Sequence, residues 1–474
     1  MPDTTAAPAS SRDHVERLLD RIETVDVHTN AICTLNPDVL AQAEARDAET
    51  KDGRSRGSLH GLPILVKDNV DTADLPTTAG SLALAEVPNP AQDATLVRRL
   101  RDAGMVVLGK TNLSEWANIR DGLSTSGWSG YGGLTRNPYG LNRSAGGSSS
   151  GSGAAVGAGL APLAIGTETD GSITCPAAFN GVVGIKPTVG LVPTDGVVPI
   201  SRSQDAPGPM ATSVRDAAAL LGVMAGDGID YAAHAVGGRL AGKRIGVPRQ
   251  RYWGYSTYAD TAAERAVGLL AAEGAVIVDS TDLTSMEDAG WEDELLVLLA
   301  ELRSGLAGYL AGRPGDVPRT LEDVVAFNVL HADRELVHFG QYLFEQALAG
   351  PVLGSEEYVA ARARCVKASR DDGIDKLLRE HELDALVTPS YAPACPIDLV
   401  NPEHHPGSCT QAAAMAGYPL VTVPSGLGGG LPVAVSFWGT AGSETGLIEI
   451  AKGYEVARDR TDGPVAPPTF PTFV

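Results

Sequence analysis

Ser172 stands in the stretch TETDGSITCP (residues 167–176), with a glycine before it, an isoleucine after it and two acidic residues just upstream. A serine hydroxyl attacks a carbonyl when something takes its proton, and no histidine lies nearby in the sequence to do so. A neutral lysine is an alternative base, and Lys67 in HGLPILVKDNV sits inside a short apolar run. From that run alone, Lys67 either alternates outward, pairs with Asp68 or another carboxylate at the strand end, or is held buried for a reason, because an unpaired buried charge is costly. A lysine base must fall from about 10.4 toward 7, roughly 3 units or about 4 kcal/mol against the charged form. Desolvation in an apolar strand shifts it in that direction. The stretch SAGGSSSGSGAAVGAG (144–159) supplies a second serine able to relay the proton, and the run Thr169-Asp170-Gly171-Ser172 offers successive backbone N–H groups to a developing oxyanion. Together these are the parts of a histidine-free acyl-transfer site that needs neither metal nor organic cofactor.

Such groups have to be held by strands and helices, and the chain alternates the two. RDHVERLLDRIETVD has apolar residues at helical spacing, and NPDVLAQAEARDAETK reads as a second helix with Asn36 as N-cap. LPILVKDNV is a buried strand, ATLVRRLRDAG followed by MVVLGKTN is helix, glycine stop and strand, and the pattern continues through GSGAAVGAGLAPLAIGT into GVVGIKPT. Strand signals return at LDALVTPS and LVTVPSG. Residues 285–385 differ, being long, helical and amphipathic, and are expected to lie over one sheet face as part of a pocket wall. No repeat or linker divides the chain, and residues 1–11 read as a frayed polar tail. The expectation is one large α/β domain, 1–474, with a mixed and mostly parallel central sheet sandwiched by helices.

Several other features carry weaker messages. GMVVLGKT, Gly104 to Thr111, satisfies the phosphate-loop pattern G-x-x-x-x-G-K-[ST], but its four central residues favour a buried strand and a helix precedes it, so the required strand–loop–helix order is inverted. His331 and His338 share a helical face without converging enough for a metal pair, and are read as packing or surface residues. His404 and His405 fall in a Pro/Gly loop and are expected to be solvated, with a loop bordering a cleft as the alternative. Trp116 and Trp128 flank the Gly-rich block and are candidates to line an apolar pocket. Cys175, three residues after Ser172, reads as a small buried hydrophobe.

A net charge of −21 repels phosphate backbones and argues against nucleic-acid binding. The five cysteines (Cys33, Cys175, Cys365, Cys395 and Cys409) are scattered with no C-x-x-C pair, so neither a disulfide framework nor a structural zinc site is expected. The start lacks the character of a signal peptide and no apolar stretch reaches membrane-spanning length, which gives a cytoplasmic, membrane-free expectation.

The motifs taken together resemble the amidase signature family. GLPILVKDN, GKTNLSEWAN, NPYGLNRSAGGSSSGSGAAVGAGLAPLAIGTETDGSITCPAAFNGVVGIKPT, DAPGPMATSVRDAA and GYPLVTVPSGLGGGLPVAVSFWG all look like its blocks, over roughly residues 15–460. The resemblance implies that Lys67 is the catalytic lysine, Ser148 the bridging serine with a cis peptide bond before it, and Ser172 the nucleophile. It also implies an oxyanion hole made by the backbone amides of Thr169, Asp170, Gly171 and Ser172. Gly147, Trp128 and Asp170 are the candidate substrate contacts. Two departures stand out: Asp170 replaces a glycine in the oxyanion run, and Thr174 stands where the family carries a basic residue.

NLSEWAN and AFNVLHADRELVHFGQ look most like the peptide amidases, which remove the C-terminal amide of peptides as ammonia. The implied protein is a monomer or homodimer acting on a small amide or peptide amide. The alternatives are the glutaminase component of an amidotransferase, which works with partner subunits, and an aryl or aliphatic amide hydrolase of the same family.

Overall fold

A computed structural model describes residues 10–287 and 290–473. The first helix, Ser11–Thr29, begins where the Ser10 side chain accepts a hydrogen bond from Asp13 N and ends where Asn30 turns left-handed; its apolar stripe Val15, Leu18 and Ile22 is buried. Residues 1–9 of the expected tail lie outside the described residues. Ser10 and Ser11 are not frayed: the Ser11 hydroxyl donates to Gly61 O at 2.7 Å, and its amide to Asp47 Oδ1 at 2.7 Å. The second helix, Val39–Lys51, has Asp38 rather than Asn36 in its N-cap position, without a side-chain capping hydrogen bond. Asn36 instead accepts from Asp38 N and donates to Val107 O at 2.8 Å, which fixes the chain entering the helix.

Eleven strands form one sheet. In chain order they are β1 (Ile32–Leu35), β2 (Pro63–Lys67), β3 (Val106–Thr111), β4 (Leu163–Glu168), β5 (Val183–Lys186), β6 (Ala206–Ala211), β7 (Arg244–Val247), β8 (Val276–Asp279), β9 (Ala385–Pro389), β10 (Leu420–Gly428) and β11 (Leu431–Trp438). Their spatial order is β1-β3-β2-β4-β6-β5-β10-β11-β9-β7-β8. The sheet is mixed, as expected. Its parallel ladders form two flanking blocks, β3-β2-β4 and β9-β7-β8. The centre from β4 through to β9 is antiparallel, built around the β10–β11 hairpin.

Apolar clusters cover both faces of the sheet. Ile64 and Val66 of β2 belong to one, and Leu65 with Val106 and Leu108 of β3 to the other. The strict alternation of β2 therefore sends Lys67 to the same face as Leu65. The Gly/Ser stretch is no linker. It forms the helix Ser150–Gly157, and a Cβ on Gly151 would stand 2.2 Å from Ala31 O, so the missing side chain at Gly151 lets this helix approach the backbone at Ala31 and Asn112.

The segment 285–385 is helical as expected, with main helices Trp291–Ala311, Leu321–Leu330, Tyr342–Ala349 and Glu356–Val366. The first three contribute to a separate apolar cluster that includes Leu298, Leu306, Leu321 and Phe344. No helix among the described residues is long and apolar enough to cross a membrane.

Candidate active site

Lys67 ends β2 and is fully buried. Its Nζ reaches Ser148 Oγ at 2.8 Å, Thr167 Oγ1 at 2.9 Å, Ser149 Oγ at 3.0 Å and Thr167 O at 3.2 Å. The strand-end reading of a Lys67–Asp68 pair does not hold, because Asp68 pairs with Lys110 at 3.3 Å. Among the described residues no carboxylate stands within ion-pair distance of Lys67. Burial therefore dominates and brings its pKa down to about 7, opposed by the more distant charges of Asp205 and Glu168.

The surrounding hydroxyls are not equivalent. Ser149 Oγ donates to Thr167 O at 3.1 Å, and Thr167 Oγ1 accepts from Asn69 Nδ2 at 3.0 Å. Ser148 Oγ has Lys67 as its sole hydrogen-bond partner among the described residues, so its proton is uncommitted. The Gly147–Ser148 peptide bond is cis.

Ser172 is brought up to this pair by the backbone: Ser149 N donates to Ser172 O at 3.1 Å. Its hydroxyl makes no direct hydrogen bond among the described residues and faces a cavity of about 280 Å³, also bordered by Gly147, Thr169 and Asp170. The turn carrying Ser172 is pinned from behind. Buried Glu168 accepts from Ile173 N and Thr174 N, each at 2.8 Å, and from the Thr174 hydroxyl at 2.9 Å. Asp205 accepts from the Thr169 hydroxyl at 2.6 Å and from Ile200 N and Ser201 N at 2.9 Å. With the turn held this way, the amides of Thr169, Asp170, Gly171 and Ser172 donate to nothing among the described residues. Gly171 adopts φ +79°, and a Cβ there would lie 2.3 Å from the Tyr391 hydroxyl oxygen. Glycine is required at this position.

Asp170 borders the cavity, and burial raises its carboxyl to about 6, with the Thr410 hydroxyl acting against that rise. Behind it, buried Glu294 of the helix Trp291–Ala311 accepts from Gln204 at 2.9 Å and Gln411 at 3.0 Å. Burial and the nearby Asp170 charge both push the Glu294 carboxyl upward.

Trp128, expected at the substrate, is not among the residues bordering the cavity. It is buried edge-on against His338 and Phe339, each at 5.2 Å, with the Arg120 guanidinium over it. The indole packs against the guanidinium that pairs with Glu115. Trp116 is likewise buried, against Phe344. The neighbouring Ala117, Asn118 and Ile119 border the cavity in their place, together with Trp291, Leu298 and Leu343 of the helical segment. His405 is exposed, as expected, and its loop also borders the cavity, which was the alternative.

Sequence reasoning passed over Glu168, Asp205, Thr167 and Asn69. Glu168 and Thr167 stood within the quoted motif, and their polarity in a fully buried strand was the signal. The phosphate-loop pattern resolves as anticipated: Lys110 lies inside β3, fully buried, donating to Val70 O at 2.8 Å, Pro76 O at 2.9 Å and Thr77 Oγ1 at 2.9 Å.

The amidase family model matches residues 13–448. The chain belongs to the amidase family. A probable amidase of Arabidopsis thaliana is 38% identical over 94% of this chain and 87% of its own length. The solved peptide amidase of Stenotrophomonas maltophilia is 46% identical, with a TM-score of 0.90 over 98% of this chain and 96% of that one. A glutamyl-tRNA(Gln) amidotransferase subunit of Symbiobacterium thermophilum is 36% identical over 95% of this chain and 94% of its own length. As an amidase-family member the protein is an amide-hydrolysing enzyme.

Proposed function

We propose that this amidase releases ammonia from the C-terminal amide of short peptides through an acyl-enzyme on Ser172. The observation that carries the reading is a buried lysine without a carboxylate partner, hydrogen-bonded to a serine whose own proton is free, beside a cavity holding a second serine. Neutral Lys67, acting through Ser148, takes the Ser172 proton as the hydroxyl attacks the amide carbon. The oxyanion is received by the amides of residues 169–172, which are preorganised and unpaired. The relay then returns the proton to departing ammonia, and water repeats the sequence on the ester.

The cavity supports the choice of a neutral carboxamide. Its border carries the acidic side chains of Asp121, Asp170 and Glu403 with His405, and no lysine or arginine among the described residues. A free C-terminal carboxylate is repelled there while its amide is not, and the acid product is expelled. The same border disfavours glutamine as a free substrate, because the α-carboxylate of glutamine would have no cation to meet. The volume is near the lower end of small-molecule sites (~300–1,000 Å³), which suits a short peptide or small amide. The helices of 285–385 supply the apolar wall against which a penultimate side chain rests.

The test is ammonia release from an amidated dipeptide, with the free-acid peptide, free glutamine and the Ser172→Ala protein as controls. Release from the amidated peptide by the wild type alone is expected. Preferential release from glutamine would replace this reading with the glutaminase one.

A further inference from the structure

The loop between β9 and the helix Gln411–Ala416 gathers a thiol, a carboxylate and an imidazole at the edge of the cavity. Cys395 Sγ, a carboxylate oxygen of Glu403 and a ring nitrogen of His405 all lie within 4.8 Å of one another. No proton-transfer step of the proposed reaction uses these groups, and Glu403 enters it only as one of the charges on the cavity border, yet each is held in place. Cys395 is buried and its carbonyl accepts from Ser144 N at 2.9 Å. His405 stacks on Phe179, with ring centres 6.0 Å apart. The Glu403 side chain is 4% exposed, and its Oε2 lies 3.2 Å from His405 Nε2. Its other oxygen, Oε1, is buried and makes no close hydrogen bond among the described residues, the Ser126 and Ser144 hydroxyls acting on the carboxylate only from longer range. A buried carboxylate oxygen without a close donor is a costly arrangement that a cation relieves.

We propose that Cys395, Glu403 and His405 form a site for a thiophilic divalent cation, Zn²⁺ by the chemistry of its donors, and that the bound ion narrows the entrance to the cavity. One sulfur, one nitrogen and one oxygen donor suit zinc and its neighbours, whereas Ca²⁺ and Mg²⁺ select oxygen alone. Tetrahedral zinc with bonds of about 2.0–2.3 Å sets its donors about 3.4–3.8 Å apart. Glu403 and His405 are already about that close, and the Cys395 sulfur stands within 4.8 Å of both. Binding exchanges the thiol proton, lost to solvent, for the metal–sulfur bond; nothing is oxidised or reduced. Three protein ligands leave a fourth position for water. Because Glu403 and His405 border the cavity, Cys395 does not, and His405 is exposed, the ion and its water would sit at the solvent edge of the cavity.

The test has two arms. In the first, Co²⁺ is titrated into the full-length protein, and the thiolate-to-cobalt charge-transfer absorption is read for wild type, Cys395→Ser and Glu403→Gln. A stoichiometric band in wild type, lost in Cys395→Ser and at least about 100-fold weaker in apparent affinity for Glu403→Gln, is expected, since even outer-sphere partners commonly matter 10–100-fold. Absence of the band in wild type, or its persistence in Cys395→Ser, overturns the site. Thermal unfolding of each variant confirms that a lost band is a lost ligand.

The second arm rests on the amidase reading and measures ammonia release with and without ZnCl₂. Inhibition of wild type that chelator reverses and Cys395→Ser escapes is expected, with Cys395→Ser retaining wild-type turnover in the absence of metal. Equal inhibition of both proteins overturns the entrance role. A protein that binds cobalt as stated yet hydrolyses no amide separates failure of the catalytic reading from failure of the metal site.

Discussion

Lys67 and Lys110 are the same residue type, equally buried, on adjacent parallel strands, yet the fold makes opposite things of them. The ladder between β2 and β3 slips by one residue between Ile64 and Leu65, so Lys110 pairs with Val66 and Lys67 with Thr111. The two lysines therefore emerge on opposite faces of the sheet. Lys110 meets the Asp68 carboxylate and three close oxygen acceptors, and its ammonium ties down the chain from Val70 to Thr77. Lys67 meets hydroxyls and one carbonyl. Burial with a counter-ion makes a structural cation, and burial without one makes a base near neutrality.

The sharpest way to break this contrast is to replace each lysine by methionine. Lys67→Met is expected to lower kcat for ammonia release by about 10⁴-fold, the upper end for a general base, while circular dichroism and the unfolding midpoint stay close to wild type. Lys110→Met leaves Asp68 buried and unpaired. It is expected to cost about 3–5 kcal/mol of unfolding free energy in urea, with kcat of the remaining folded protein near wild type. Adding Asp68→Leu should recover most of that loss. If Lys110→Met abolished catalysis in folded protein, or Lys67→Met mainly unfolded it, the assignment of roles would be reversed.

Smaller effects sharpen the comparison. Gly171→Ala forces a side chain toward Tyr391 in a left-handed turn and misdirects the amides beside it, so kcat should fall by about 10²–10³-fold, the usual range for an oxyanion donor. For pH, the active form of Lys67 is the neutral amine, since the ammonium has no lone pair to accept the serine proton. With its pKa lowered to about 7, kcat/KM should be level above that value and fall about tenfold per unit below it. A profile flat down to pH 5 would remove Lys67 as the base.

What the sequence made legible follows from how local the signal is. Lys67 in an apolar strand, Ser148 after two glycines and Ser172 in its turn announce themselves by residue type against a short background. The groups that hold them do not. Glu168 reaches Ile173 and Thr174, and Asp205 reaches Thr169, through the path of the folded chain, and nothing in the spacing of 169 and 205 marks them as partners. Trp128 was misplaced for a related reason: its nearness in sequence to the Gly-rich block says nothing of Arg120, which claims it. Helix–strand alternation revealed the layered α/β plan and the flanking parallel ladders. The antiparallel centre depends on strand order, which alternation does not encode.

The cavity draws its chemistry and its shape from different stretches of chain. The groups that would transfer the proton and receive the oxyanion all fall between residues 67 and 205, while Trp291, Leu298, Leu343 and the loop to His405 supply other parts of the border. Evolution, or a protein engineer, is thereby free to exchange the later stretch for another and so change which amides are admitted, inheriting the reaction itself unaltered.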